Sequence, residues 1–111
     1  MSKYKDIYYE FFGYDKGEFI PCEISGAKSD DLHHIDCRKI GGSKLKDNIE
    51  NLIAVTREEH VKYGDKKQYM LLLYETHLKF IRDQNPRYKI NWENIPQAYR
   101  ESLKLTYEND I

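Results

Sequence analysis

The sequence predicts a small α+β domain whose C-terminal half is mainly α-helical. Three observations predict it: two short β-type runs in the first half, a helix-capping pattern after the second run, and apolar residues at helical spacing further on. With 111 residues, 40% hydrophobic and 33% charged, the chain has the size and balance of one globular domain. We therefore expect a single domain over 1–111, with a core at 18–66 and a helical extension at 67–106.

The N-terminal segment has two interpretations. Aromatic and apolar side chains recur at three- and four-residue intervals, as on one face of a short helix: Tyr4, Ile7, Tyr8, Phe11 and Phe12. The same stretch is rich in strand formers, so a strand is the alternative. Further on, the segment EFIPCEIS is expected to be extended, because Pro21 disfavours helix at Ile20.

Two β-type runs and a helix start follow. The run LHHID and the run Leu52 to Val55 are separated by a polar loop with Gly41 and Gly42, which is either an ordinary turn or a place of close phosphate approach. Thr56 and Glu59 have the spacing of a capping box. The pattern predicts two strands around a loop and then a helix with His60 in its first turn.

A longer helix is predicted next. Gly64 and Asp65 break or kink the short helix, and Asp65 with Gln68 can cap a second one that runs to about Arg82. Its apolar stripe, in which His77 is expected to be structural, consists of Met70, Leu73, Tyr74, His77, Leu78 and Ile81.

The last predicted helix lies near the C-terminus. Asn94 can cap it, with Pro96 at the first position, where no N–H is needed. It is expected to bury Ile95, Tyr99 and Leu103 and to fray after about Thr106.

Composition bears on the cellular compartment and on the partners to be expected. No stretch approaches the roughly twenty apolar residues that span a bilayer, and the N-terminus lacks the apolar core of a secretory signal. We therefore expect a cytoplasmic protein without a membrane partner, in which Cys22 and Cys37 are reduced thiols. The net charge of −1 gives no global case for nucleic-acid binding, so any such case depends on local charge.

The residues suited to chemistry lie between positions 33 and 60. Three of the four histidines fall there, as His33 and His34 on the first predicted strand and His60 at the helix start, with Asn51 before the second strand. Imidazole serves both as a general base and as a metal ligand. Neighbours on a strand point to opposite faces, so His33 and His34 can share one site only if the strand starts, bends or bulges there.

This arrangement resembles the HNH endonuclease family over about residues 20 to 66. The matching elements are His33-His34-Ile35, Gly41-Gly42, Asn51-Leu52 and His60. The resemblance implies a ββα-metal core, a two-stranded hairpin followed by a helix, in a metal-dependent endonuclease that hydrolyses DNA phosphodiester bonds. It also implies products with a 5′-phosphate and a 3′-hydroxyl.

The resemblance assigns roles to the matching residues. His34 would be the general base that activates water, and Asn51 would hold the loop and orient His34. His33 and His60 would bind one divalent metal ion, and with only two protein ligands the affinity should be modest. Imidazoles accept Zn, Ni or Mn, and Mg is possible where phosphate supplies most of the oxygen donors.

Local basic charge provides candidate DNA contacts. Four residues of the polar loop come first, and three on the helix side of the site come second: Arg38, Lys39, Lys44 and Lys46, then Lys62, Lys66 and Lys67. The alternative is a solvated charged face. A small nuclease of this kind suits a phage or mobile element in its host cell, with a larger packaging or replication protein as a candidate partner.

The chain departs from many family members, which carry two CxxC pairs around a structural zinc. Here Cys22-Glu-Ile-Ser25 and Thr56-Arg-Glu-Glu59 stand in those places. Our hypothesis is that the capping box and extra helical packing replace the zinc. The rival function is a non-catalytic nucleic-acid-binding or interaction module of the same fold, in one variant with a zinc held by Cys22, Cys37 and a histidine.

Overall fold

The computed structural model describes residues 3–36 and 46–109. Over these residues it has four α-helices and one two-stranded antiparallel sheet, which confirms the α+β class. The elements are α1 (Lys3–Phe12), β1 (Asp31–His34), β2 (Leu52–Val55), α2 (Arg57–Tyr63), α3 (Met70–Gln84) and α4 (Gln97–Asn109). Some predicted loop residues lie outside the described residues: Cys37, Arg38, Lys39, Gly41, Gly42 and Lys44.

The sheet gives β1 two different environments. β1 and β2 pair in regular register from Asp31 opposite Val55 to His34 opposite Leu52. Side chains alternate along a strand, so Asp31 and His33 share one face of β1 while His34 lies on the other. The first face meets α2, and the second meets α1, where His34 packs edge-on against Tyr4.

The helix interpretation of the N-terminal segment is confirmed, because α1 directs its aromatic residues at the core. Tyr8 is fully buried, and its ring centroid lies 4.7 Å from that of Phe12. The capping box of α2 is also confirmed: Glu59 N donates to Thr56 Oγ1 at 3.1 Å, and Thr56 N donates to Glu59 Oε1 at 2.9 Å. Together these contacts place helices on both sides of the sheet.

α3 and α4 pack against each other and complete the core. The predicted stripe of α3 is buried, except that Met70 is half-buried. Ile95 and Leu103 are buried as predicted, and Tyr99 is half-buried. α4 extends to Asn109, beyond the predicted fraying point.

Both predicted caps of these helices are wrong. Asp65 adopts a left-handed backbone conformation with φ 58°, and a 3-10 turn (Lys67–Tyr69) follows before α3 begins at Met70 without a side-chain cap. Asn94 ends another 3-10 turn, and its amide donates to Glu50 Oε1 at 2.9 Å. Asp65 therefore lies in a turn, and Asn94 makes a tertiary hydrogen bond, instead of capping the helices as their spacing predicted.

The segment before β1 is extended only in part. Pro21 forms an isolated bridge with Lys28, as an extended chain does. Residues 23–25 form a turn instead, in which Gly26 N donates to Cys22 O at 2.9 Å. Gly26 has φ 80°, a conformation that glycine adopts without steric cost, so the turn is specified locally.

Candidate metal centre

His33, His60 and Asp65 converge where β1, α2 and the turn after α2 meet. One ligand atom of each lies within 4.8 Å of the others, and the two imidazole centroids are 4.6 Å apart. Two ligand atoms that each lie about 2.1 Å from one ion are roughly 3–3.4 Å apart. Small side-chain rotations therefore suffice for these three residues to hold one metal ion.

His33 carries a buried nitrogen whose chemistry suits a metal. Four polar or charged residues are buried as a whole in the described part of the chain: His33, Glu50, Asn51 and His77. The other three make hydrogen bonds, whereas His33 Nε2 has no partner among the described residues. Such a nitrogen costs about 1–3 kcal/mol. Coordination to an ion would remove that cost, so His33 fits a ligand role.

The protonation state of His33 also suits coordination. Burial, and after it the nearby His60 ring, lower the pKa of His33 to about 4. A metal binds the neutral form of imidazole. At neutral pH no proton therefore has to leave His33 before an ion binds.

The ring of His60 is held by Asp31 on the neighbouring strand. His60 Nδ1 lies 3.0 Å from Asp31 Oδ2, and Arg57 donates to the two oxygens of the same carboxylate at 2.8 and 2.9 Å. The hydrogen bond from Arg57 is the main cause of the lowered pKa of Asp31. The carboxylate is thus ionised at neutral pH and accepts hydrogen bonds from both neighbours.

Gly64 allows the two imidazoles to approach each other. A Cβ atom at this position would lie 2.4 Å from the His60 carbonyl oxygen, 2.6 Å from His60 Cδ2 and 3.2 Å from His33 Cε1. The first two distances are too short for any side chain. Glycine is therefore required here by close packing against the candidate ligands.

Asp65 belongs to this cluster, although its sequence context did not predict it as a candidate ligand. Its left-handed conformation directly follows Gly64, and no other non-glycine residue in the described ranges has positive φ. Asp tolerates this conformation better than most residues. A Gly-Asp pair soon after a histidine proposed as a ligand was the available signal, and its acid was assigned to a cap instead.

An open cavity of about 510 Å³ lies against this cluster. It is lined by Asp31, Arg57, His60, Val61, Gly64 and Asp65. A site of this size and openness admits a phosphate group together with water.

His34 lies outside the cluster. Its Nε2 is 2.9 Å from Asp47 Oδ1, and its ring centroid is 4.7 Å from that of Tyr4. Because His33 and His34 are successive residues of a regular strand, their side chains lie on opposite faces, and the chain bends only afterwards, at residues 35–36. The structure thus unites His33 with His60 but not with His34.

Asn51 joins the two ends of the segment 37–45. Its Oδ1 accepts from Asp36 N at 2.7 Å and from Tyr74 Oη at 3.1 Å, and its Nδ2 donates to the carbonyls of Asp36 and Lys46 at 3.1 and 3.0 Å. These bonds use the full capacity of the amide. The side chain therefore links Asp36 to Lys46 and has no hydrogen bond left for His34.

Cys22, Ser25 and Glu59, which stand where many HNH endonucleases carry CxxC thiols, form a hydrogen-bonded cluster. Cys22 Sγ lies 2.9 Å from Ser25 Oγ and 3.3 Å from Glu59 Oε2, and Glu59 closes the capping box with Thr56. Within the described residues Cys22 belongs to no group that can hold a metal. The capping box in this cluster is the one that the sequence-based hypothesis places, with extra helical packing, where other proteins carry a structural zinc.

The described candidate DNA contacts differ in their surroundings. Lys62, Lys66 and Lys67 are exposed, and in the sequence they follow His60 and Asp65 within two residues. Lys66 Nζ donates to the carbonyls of Val61 and Lys62 at the end of α2, whereas Lys46 is half-buried and paired with Asp36. Lys62 and Lys67 are thus better placed than Lys46 to meet a ligand.

Comparison of the chain with protein-family models, curated proteins and solved structures found no match. Among the helices described, none has both the length and the apolar character needed to cross a membrane.

Proposed function

We propose that this protein is a metal-dependent endonuclease that hydrolyses DNA phosphodiester bonds, with one divalent ion held by His33, His60 and Asp65. The observation that carries the proposal is the convergence of these side chains, together with the buried Nε2 of His33, which has no hydrogen-bond partner among the described residues. A divalent ion in such a site stabilises the charge that develops on the phosphate and its leaving oxygen.

The arrangement of elements supports the same proposal. β1, β2 and α2 follow one another as two antiparallel strands and a helix, the order that a ββα-metal core requires. Two imidazoles and one carboxylate suit Mn, Ni or Zn, and they leave positions for water and phosphate oxygens. With Mg, the phosphate would supply more of the donors.

We assign the general base to His34. Asp47 accepts from the Nε2 side of the ring, which leaves a lone pair on Nδ1 to take a proton from water. Because His34 ends β1, this role requires the substrate phosphate to lie across the end of the strand. Asn51 supports the role indirectly, by fixing the segment that follows the histidine.

The substrate class rests on charge beside the site. Lys62 and Lys67 are exposed, and each lies two residues after a candidate ligand, His60 or Asp65. Lysines bind the phosphate backbone whatever the base sequence. Each such contact releases counterions, so binding weakens as salt rises. We expect Lys62→Ala and Lys67→Ala each to reduce the slope of log affinity against log salt by about one.

A plasmid-nicking assay with Mg²⁺, Mn²⁺, Ni²⁺ and Zn²⁺ tests the activity. His33→Ala, His60→Ala and Asp65→Ala should lose both bound metal and cleavage. His34→Ala should keep the metal and lose about 10²–10⁴-fold in rate. Asp83→Ala removes an exposed acid on α3 and serves as the matched control for Asp65→Ala.

The outcomes separate the proposed roles. If His34→Ala and the wild type nick alike, His34 is not the base. If the wild type binds metal and DNA but cleaves in no ion, the nuclease proposal fails and the non-catalytic nucleic-acid-binding module is the better description.

A further inference from the structure

We infer that Asp31 is a positioning residue for the metal centre: it fixes the orientation of the His60 ring and the nitrogen that the ring offers, and Arg57 anchors it. This inference rests on the proposed metal site. It adds to that site a residue outside the set of three candidate ligands.

The first step is the hydrogen bond at His60. An ionised carboxylate only accepts hydrogen bonds, so His60 Nδ1, 3.0 Å from Asp31 Oδ2, must carry the hydrogen. The lone pair of the neutral ring is then on Nε2. A ring without this partner would rotate and populate both tautomers, and only part of the population could bind the ion.

The second step is the rigidity of Asp31 itself. Arg57 donates two hydrogen bonds of nearly equal length to the carboxylate, which is the bidentate geometry that a guanidinium forms with a carboxylate. Although the Arg57 side chain is 71% exposed, that of Asp31 is only 18% exposed. The carboxylate thus has little freedom to turn away from His60.

The third step is the place of Asp31 in the sheet. Asp31 and His33 lie two residues apart on the same face of β1, so one strand supplies both a ligand and the group that orients another ligand. Arg57 begins α2, the helix that carries His60. The chain of contacts therefore joins both ligand-bearing elements.

Carboxylates that orient a ligating histidine typically contribute about 10–100-fold to metal affinity. We expect Asp31→Ala to weaken Zn²⁺ and Mn²⁺ binding by that factor in calorimetric titrations. Asp31→Asn should lose less, because the amide oxygen can still accept from Nδ1. Arg57→Ala should also lose less, because the Asp31–His60 bond remains.

Asp30 provides a matched control. It accepts from the backbone N of Arg57 at 2.9 Å. Asp30→Ala removes the same charge one position away and leaves His60 untouched, so metal affinity should stay within about twofold.

A second measurement reports the tautomer directly. Imidazole ¹⁵N shifts of the metal-free wild type should show His60 with hydrogen on Nδ1, and Asp31→Ala should show a mixture. A structural role alone would not change this signal. Since the wild type can be measured first, the test does not depend on the folding of any variant.

The results distinguish the role of Asp31 from the proposed metal site on which it rests. If the wild type binds neither ion, the proposed metal site fails. If the wild type binds but Asp31→Ala binds equally well, or if wild-type His60 carries its hydrogen on Nε2, the role of Asp31 is overturned.

Discussion

Glu23 and His77 form an ion pair in which both side chains are completely buried, with His77 Nδ1 2.7 Å from Glu23 Oε1. His77 Nε2 donates to the Ile49 carbonyl, so both ring nitrogens carry hydrogen. Burial by itself lowers the pKa of His77, but it is outweighed by the charge and hydrogen bond of Glu23, and after them by the Ile49 carbonyl and the charge of Glu50, so the pKa is above its ordinary value. Tyr8 Oη also donates to Glu23 at 2.7 Å, so the pair links α1 to α3.

This pair predicts how stability changes with pH. The folded pKa of His77 is above its unfolded value of about 6.5, so its contribution is fully present below that pH and is lost as pH rises through the folded pKa. In Glu23→Gln the Ile49 carbonyl and the charge of Glu50 still oppose burial, but the largest contribution that raises the pKa of His77 is gone. The part of the stability that is lost as pH rises should therefore be smaller in this variant than in the wild type.

Urea unfolding of the wild type and Glu23→Gln from about pH 5 to about pH 9 checks this prediction. Both proteins share the other titrating groups, so the effects of those groups on stability cancel in the difference between the two free energies of unfolding. It should be about 3–5 kcal/mol in favour of the wild type at low pH and should shrink as pH rises. A difference that does not change with pH would contradict the ionised pair.

The sequence predicted the elements better than it predicted their polar contacts. The stripe of α3 follows from a helical period, so the burial of His77 was predictable. Its partner Glu23 was not, because an acid in a turn gives no local sign of a neighbour on a distant helix. His33 and His60 were predicted as a pair through the family pattern. Asp65 was missed because its role depends on a left-handed turn that spacing does not reveal.

The hydrogen bonds of the Asn51 side chain predict that its truncation to alanine lowers the free energy of unfolding substantially. Asn51→Ala removes the partner of the buried Tyr74 hydroxyl and of half-buried backbone groups of Asp36 and Lys46, and we expect a loss of about 2–3 kcal/mol. Asn91 is exposed and accepts one local bond from Glu93, so Asn91→Ala should cost less than about 1 kcal/mol. Equal losses of unfolding free energy in the two variants would contradict a special role for Asn51.

Gly64 predicts a link between packing and metal binding. In Gly64→Ala the added methyl group must displace His60 or His33, so we expect a loss of about 1–3 kcal/mol in stability and weaker Zn²⁺ binding. Val61 is 70% exposed on the same helix, and Val61→Ala should leave affinity unchanged. Calorimetric titration with Zn²⁺ measures both variants, and an unchanged affinity in Gly64→Ala would show that the two rings need not be this close.

The cluster around Cys22 predicts that metal removal leaves the fold intact. Cys22 is hydrogen-bonded to Ser25 and Glu59, so we expect that chelation does not unfold the chain. It should lower the free energy of unfolding only by the amount that metal binding at the His33 site contributes. Cys22→Ser should retain the metal, whereas Glu59→Ala should cost about 1–2 kcal/mol by opening the capping box. Circular dichroism with and without chelator measures these effects. Unfolding by chelator, together with release of metal from Cys22→Ser, would instead favour a structural zinc at this cluster.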